Sequence, residues 1–168
     1  MGCRDLDFTL SKSKKRVIVL GDSVSFGKGV KEAQRYSNLL QDTFPELEFW
    51  NLGLQGCTAE CMNLIVQKHF TDFKPDILII QASGNDLDQT LWKIAQEKSI
   101  PALGIEALRF MRTFRIFESL MMYRSSEQIE QQLFLAYQAS KKRYGKDLRE
   151  IFSWAQKNKV PVISLNLP

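Results

Sequence analysis

Three stretches of the chain hold residues whose types could do chemistry. Gly21-Asp22-Ser23-Val24-Ser25-Phe26-Gly27-Lys28-Gly29 carries hydroxyls on a glycine-rich turn. Asn51-Leu52-Gly53-Leu54-Gln55-Gly56 offers backbone N–H groups that no side chain shields at its glycines, and Gly84-Asn85-Asp86 offers an uncharged amide donor. A phosphate loop needs four residues between its first glycine and a Gly-Lys pair, then Ser or Thr for Mg²⁺. Here five intervene and Gly29 stands where the hydroxyl should be, so nucleotide chemistry is set aside. A plain strand-to-helix turn capped by Asp22 or Ser23 is the bland alternative. A serine hydroxyl also needs a base to become a nucleophile, and the single histidine, His69, lies in none of the three stretches. Asp86 and Asp88 suggest paired carboxylates, but loop capping and charge at a helix N-terminus account for them.

The elements that must position these stretches are legible in the hydrophobic pattern. Arg16-Val17-Ile18-Val19-Leu20 is a β-branched run ending at Gly21, as in a buried strand. A helix is expected over about 33–43, with Leu39, Leu40 and Phe44 on one face and Pro45 limiting its end. Leu47–Leu52 alternates like a strand, and Thr58–Phe70 has helical spacing through Met62, Ile65, Val66 and Phe70. Asp76–Ala82 and Val160–Asn166 read as third and fourth strands. The long stretch between them, about 88–158, reads as helical. Pro101 and Gly104 interrupt it early, Ser125 with Gln128 forms a capping box, and Gly145 marks a further break. Strands alternating with helices give a parallel sheet covered on both faces, whose ligands bind beyond the carboxyl ends of the strands. All three stretches follow strands.

Composition bounds the rest. At 168 residues and 44% hydrophobic, the chain can bury one α/β core. A net charge of +4 and a pI near 9.0 are mild, and a solvated basic face accounts for them; no nucleic-acid partner is implied. No apolar run approaches the roughly 18 residues that span a bilayer, and nothing directs export, so a cytoplasmic location is expected. Cys3, Cys57 and Cys61 are an odd, low count, which fits free structural thiols in a reducing compartment. With one histidine a zinc site is not expected.

Taken in order at their strand ends, Gly21-Asp22-Ser23, Asn51–Gly56 and Gly84-Asn85-Asp86 resemble the first three motif blocks of the SGNH hydrolases, the GDSL-type esterases and lipases. Arg35-Tyr36-Ser37-Asn38-Leu39-Leu40 also looks like that family. The resemblance is close over about 16–87 and loose over 148–168. It implies a flavodoxin-like three-layer α/β/α sandwich with a mainly parallel sheet. It also implies Ser23 as nucleophile, with the oxyanion held by the Ser23 N–H, the Gly56 N–H and the Asn85 side chain. Acyl transfer builds charge on the carbonyl oxygen, and each fixed donor is worth roughly 2.7–4 kcal/mol.

The base is the gap. A helix over 58–69 is about 17 Å long at 1.5 Å per residue, so its far end carries His69 away from the Gly56 loop. In the family an Asp-x-x-His block follows the strand that matches 160–166. We therefore expect 1–168 to be the larger part of an SGNH domain: a polar lead-in at 1–15, then 16–168 with a helical insertion at about 88–147. A second chain that supplies the remainder, or a non-catalytic relative that keeps the pocket as a binding module, are the alternatives. Within the insertion Arg109, Arg112 and Arg115 flank Phe110, Met111, Phe114, Phe117 and Met121. That pattern could cap the site with an acyl pocket or touch a membrane, but a core-facing stripe with solvated arginines is the favoured reading. The expected substrate is a small carboxylic ester or thioester, such as an acyl-lipid or acetylated sugar, turned over without metal or organic cofactor. Oligomeric state is not legible.

Overall fold

The apolar run at the chain's start feeds two faces at once. Strand β1 (Lys15–Gly21) sends Val17 and Val19 to one side and Ile18 and Leu20 to the other, all of them buried. That is why it reads as continuous hydrophobicity rather than alternation. The computed structural model describes residues 9–82, 85–86 and 126–165. Beside β1 lie β2 (Leu47–Asn51), β3 (Ile77–Gln81) and β4 (Val162–Leu165), all parallel, in the order β2-β1-β3-β4. The helices are α1 (Ser23–Phe26), α2 (Tyr36–Thr43), α3 (Ala59–Phe73) and α4 (Ser126–Lys157), with a 3-10 turn at Glu32–Gln34.

On one face of the sheet, Met62, Val66, Phe70 and Phe73 of α3 and Ile151 and Ala155 of α4 pack against Ile18, Leu20, Leu78 and Ile80. On the other, Tyr36 and Leu40 of α2 cover Val17, Val19 and Ile79. The fold is the α/β three-layer arrangement expected, with β1 and β3 flanking the point where strand order reverses. The chain divides into two compact units, Met1–Asn85 with Arg143–Pro168, and Asp86–Lys142. The aromatic and arginine stripe at 109–121 and the capping residue Ser125 lie outside the described residues.

Two local readings are corrected. Gly145 does not break α4, which runs through it. A single helical glycine costs only about 1 kcal/mol relative to alanine, and Leu148, Ile151 and Ala155 immediately beyond it are held against the core. The second helix starts at Tyr36 rather than 33, because Arg35 keeps extended backbone (φ −67°, ψ 140°) and is buried. Two residues of the polar lead-in, Thr9 and Ser11, are tied to the start of β1. Arg16, 0% exposed, donates to the carbonyls of Thr9, Ser11 and Phe73, pairs with Glu48 at 3.0 Å and lies 3.6 Å from the Trp50 ring. A guanidinium taken out of water needs such partners.

At β2's outer edge, Gln41 stands in for a neighbouring strand. Its Nε2 donates to Leu47 O (2.9 Å) and its Oε1 accepts from Phe49 N (3.0 Å), which satisfies groups that would otherwise invite pairing. At the amino-terminal ends of β1 and β3, Asp76 accepts from Arg16 N (2.6 Å) and pairs with Lys12 (2.7 Å). Partial burial opposes its charge, but the Lys12 hydrogen bond, the Arg16 N–H and the Lys12 and Lys15 charges outweigh this and hold the carboxyl below the ordinary carboxylate range. A lowered native pKa stabilises above the unfolded value, about 3.9, and is lost as pH falls through the native value. Asp76→Asn is therefore expected to lower the urea midpoint at pH 7, with the gap from the parent closing below about pH 4. A gap that stays constant down to pH 2.5 would contradict this.

Candidate active site

Each of the three stretches is delivered by a strand. Gly21 ends β1, Asp22 caps the next helix, and Ser23 is its first residue, half-exposed. The Asp22 carboxylate accepts from Val24 N at 2.8 Å, which is the cap that closes the turn. The four-residue helix ends at Gly27, whose φ of +77° places it in the left-handed region. A Cβ at Gly27 would also collide with the Arg35 side chain.

The second stretch is zipped onto the first. Leu52 N donates to Val19 O (2.8 Å) and Leu54 N to Gly21 O (3.0 Å), so the loop after β2 follows β1 past the end of the sheet. Cys57 N then closes a turn on Leu54 O at 3.1 Å. Gly56 is the third residue of that turn with φ +71°, the conformation a type II turn demands there. A Cβ at Gly56 would meet nothing within 4 Å, so the requirement is conformational. The third stretch brings Asn85, half-buried, whose Nδ2 lies 3.2 Å from Asp22 Oδ2 and 3.2 Å from Cys57 O. Asn85 thus touches the residue before Ser23 and the residue after Gly56, and the three sequence-derived residues share one end of the sheet.

Beneath this end lies a buried polar network that the sequence reading missed. Gln81, 1% exposed at the end of β3, accepts through Oε1 from Asp22 N (3.3 Å) and Ser25 Oγ (3.0 Å). Ser25 has one proton and spends it on Gln81, so the 2.7 Å contact to Tyr36 is a bond donated by the phenol. Burial, with the Asp22 charge adding to it, raises the Tyr36 pKa against the Ser25 hydrogen bond, so the phenol keeps its proton. Asn51 Nδ2 donates to Ser25 O and to Ser37 Oγ, each 2.7 Å, and its Oδ1 accepts from Gly53 N at 2.9 Å. The turn bearing Ser23 is therefore pinned from β2, β3 and α2. The signal for Gln81 was a polar residue closing the run Ile77-Leu78-Ile79-Ile80, but nothing in the pattern said what it bonds.

The packing leaves no room for side chains at Gly21 or Gly53. A Cβ at Gly21 would overlap Ser25 Oγ, and one at Gly53 would sit 2.5 Å from Phe26 N and 2.7 Å from Ser25 C, both backbone atoms. Gly53→Ala is expected to destabilise by about 2–3 kcal/mol, as overpacking against rigid backbone does. Chemical denaturation measures this, and an unchanged midpoint would show that the turn is softer than drawn.

Cys57 and Cys61 are joined in a disulfide, which corrects the reading of free thiols. That reading rested on the odd, low count of cysteines. In the fold Cys57 precedes Thr58, the residue that caps α3 through its hydroxyl on Cys61 N, and Cys61 is the third helical residue. The bend at the helix entrance brings their Cα atoms to 5.4 Å, inside the range a disulfide spans. His69 lies where expected, away from Ser23. Its ring stacks on Phe73 at 5.5 Å, and the Phe73 carbonyl accepts from Arg16 Nη1 at the start of β1. Five residues of strand, about 17 Å, separate Arg16 from Gly21.

Among the described residues no group of three or more His, Cys, Asp or Glu is placed to hold a metal ion, and no helix is long and apolar enough to cross a membrane. No protein-family model matches the sequence, and no curated protein matches it. Solved structures do match. The esterase AlinE4, described as of the SGNH-hydrolase family, superposes with a TM-score of 0.52 at 16% identity over 94% of this chain. The fold is that of the SGNH hydrolases. The lipase Lip_vut3, from a goat rumen metagenome, superposes with a TM-score of 0.54 at 17% identity over 92% of this chain. The chain spans 62% of the length of AlinE4 and 64% of that of Lip_vut3. What this fold places beyond the carboxyl ends of β1, β2 and β3 is the set of turns just described.

Proposed function

We propose that the chain is the nucleophile-bearing part of a serine hydrolase of carboxylic esters or thioesters, acting through an acyl-serine intermediate. The observation that carries this is the convergence of the Ser23 turn, the Gly56 turn and the Asn85 amide at one sheet end, with Asn85 linked to a neighbour of each. Ser23 Oγ attacks the carbonyl carbon. The developing oxyanion is held by Ser23 N–H, Gly56 N–H and Asn85 Nδ2. The network under the turn holds the Ser23 segment, and Asp22 and Cys57 hold the Asn85 amide, before the substrate arrives, which is what makes such donors effective. The alcohol or thiol leaves, and water releases the acyl group.

The general base in this reading is not His69, whose ring is stacked at the opposite end of β1. The reading calls for an Asp–His pair as the base, as the SGNH resemblance implies. A binding module that keeps the pocket without that pair is the second reading, favoured only by the position of His69. The substrate class is a small ester, an acyl-lipid or acetylated sugar among them.

The test is a steady-state assay on short-chain aryl esters, using the protein expressed from its full reading frame. We expect an initial burst of one equivalent of phenol, turnover unchanged within about twofold by His69→Ala, and little turnover from residues 1–168 alone. Activity of residues 1–168 that His69→Ala abolishes would overturn the assignment of the base. No turnover of any ester by the full-frame protein would favour the binding module.

A further inference from the structure

The hydrogen-bond inventory of Asn85 has a consequence for the site. A primary amide has two N–H groups, and in the resting protein they face the Asp22 carboxylate and the Cys57 carbonyl, each 3.2 Å from Nδ2. In the hydrolase reading the N–H facing Asp22 is the one that turns to the oxyanion, while the Cys57 carbonyl keeps the other. The orientation of the amide is therefore set by two acceptors on different stretches. The Asp22 carboxylate is anchored by the cap it makes to Val24 N. The Cys57 carbonyl sits between the Gly56 turn and the first turn of α3, and the Cys57–Cys61 disulfide ties exactly that peptide to the helix.

We propose that Cys57 is a positioning residue of the oxyanion hole, and that the Cys57–Cys61 disulfide makes the hole redox-sensitive. This rests on the hydrolase reading above. Closed, the disulfide fixes the Cys57 peptide, which holds Asn85 through its carbonyl and aims Gly56 N–H through the turn before it. Opening needs a thiol reductant. Its thiolate attacks Sγ of Cys61, the half-buried residue of the pair, because Cys57 is 4% exposed. The S–S bond breaks, Cys57 leaves as thiolate and takes a proton, and a mixed disulfide forms on Cys61. A second thiol attacks the reductant's sulfur in that mixed disulfide and releases Cys61 as thiol. The two reductant thiols end as a disulfide, and two electrons have passed to the protein. The Cys57 thiol then has a proton to donate to Thr58 O, 3.7 Å from its sulfur. The Cys57 peptide is no longer tethered to α3, and Asn85 loses a fixed acceptor.

The experiment titrates the full-frame protein with dithiothreitol, counting free thiols by alkylation and mass, and follows two readouts. One is kcat and KM for an aryl acetate. The other is the side-chain amide resonance pair of Asn85, which needs no catalysis. We expect reduction to lower kcat about tenfold with KM within about twofold, short of the roughly 10²–10³ that losing a donor outright costs. Oxidised dithiothreitol restores the rate, the Asn85 amide pair moves on reduction, and Cys57→Ser/Cys61→Ser sits at the low kcat whatever the reductant. If that variant does not fold, the wild-type titration still decides. Equal or higher kcat in the fully reduced protein, or an Asn85 pair that does not move, overturns the proposal while leaving the hydrolase reading intact. An Asn85 pair that moves in a protein without ester turnover in either state supports the positioning and overturns the hydrolase reading.

Discussion

Ser23→Ala is expected to lower kcat for a short-chain aryl ester by roughly 10⁶-fold in the full-frame protein, close to the loss seen when a hydrolytic serine is removed elsewhere. The fold should survive it. Ser23 is half-exposed, and the groups that shape its turn are the Asp22 carboxylate on Val24 N and the Gln81 side chain on Asp22 N, none of which uses the Ser23 hydroxyl. The matching control is Ser25→Ala. Ser25 is buried and bonded to both Tyr36 and Gln81, so its loss should lower stability by about 1–3 kcal/mol, because the half-buried Tyr36 hydroxyl loses its partner and Gln81 Oε1 loses one of its two donors. The surviving folded protein should keep a nucleophile. If Ser25→Ala abolishes turnover at full stability while Ser23→Ala does not, the nucleophile has been placed on the wrong hydroxyl.

Asn85→Ala should lower kcat by roughly 10²–10³ with KM little changed, because its amide acts on charge that exists only in the transition state. Asn85→Asp is expected to be at least as damaging. It would set a carboxylate 3.2 Å from the Asp22 carboxylate and replace a donor with an acceptor. A fall confined to KM would mean that Asn85 binds ground-state substrate instead.

Much of the sheet was legible because buried parallel strands are written as apolar runs. Val17–Leu20 and Ile77–Ile80 read directly, with boundaries off by a residue or so. Val160 and Pro161 were read into the fourth strand, which begins at Val162, although Pro161 O already accepts from Leu78 N. The strand order was implied by the resemblance, through its flavodoxin-like arrangement. What the pattern could not carry were contacts set by side-chain direction. Gln81 and Asn51 are isolated polar residues in strands, and only the folded register, Gly21 beside Gln81 and Val19 beside Asn51, puts them under the Ser23 turn. The disulfide escaped because the odd, low cysteine count was taken as a sign of free thiols, while the bend at Thr58 brings Cys57 and Cys61 together. Gly21, Gly27 and Gly56 were visible as glycines, yet their reasons differ: close packing at Gly21, packing and left-handed backbone together at Gly27, left-handed backbone alone at Gly56.

The central claim is that Ser23 is the nucleophile, and covalent labelling tests it most directly. A fluorophosphonate incubated with the full-frame protein should modify one serine, and peptide mapping should place the adduct on Ser23, with labelling lost in Ser23→Ala and slowed in Asn85→Ala. An adduct on Ser25 or Ser83, or labelling that persists in Ser23→Ala, would contradict the account.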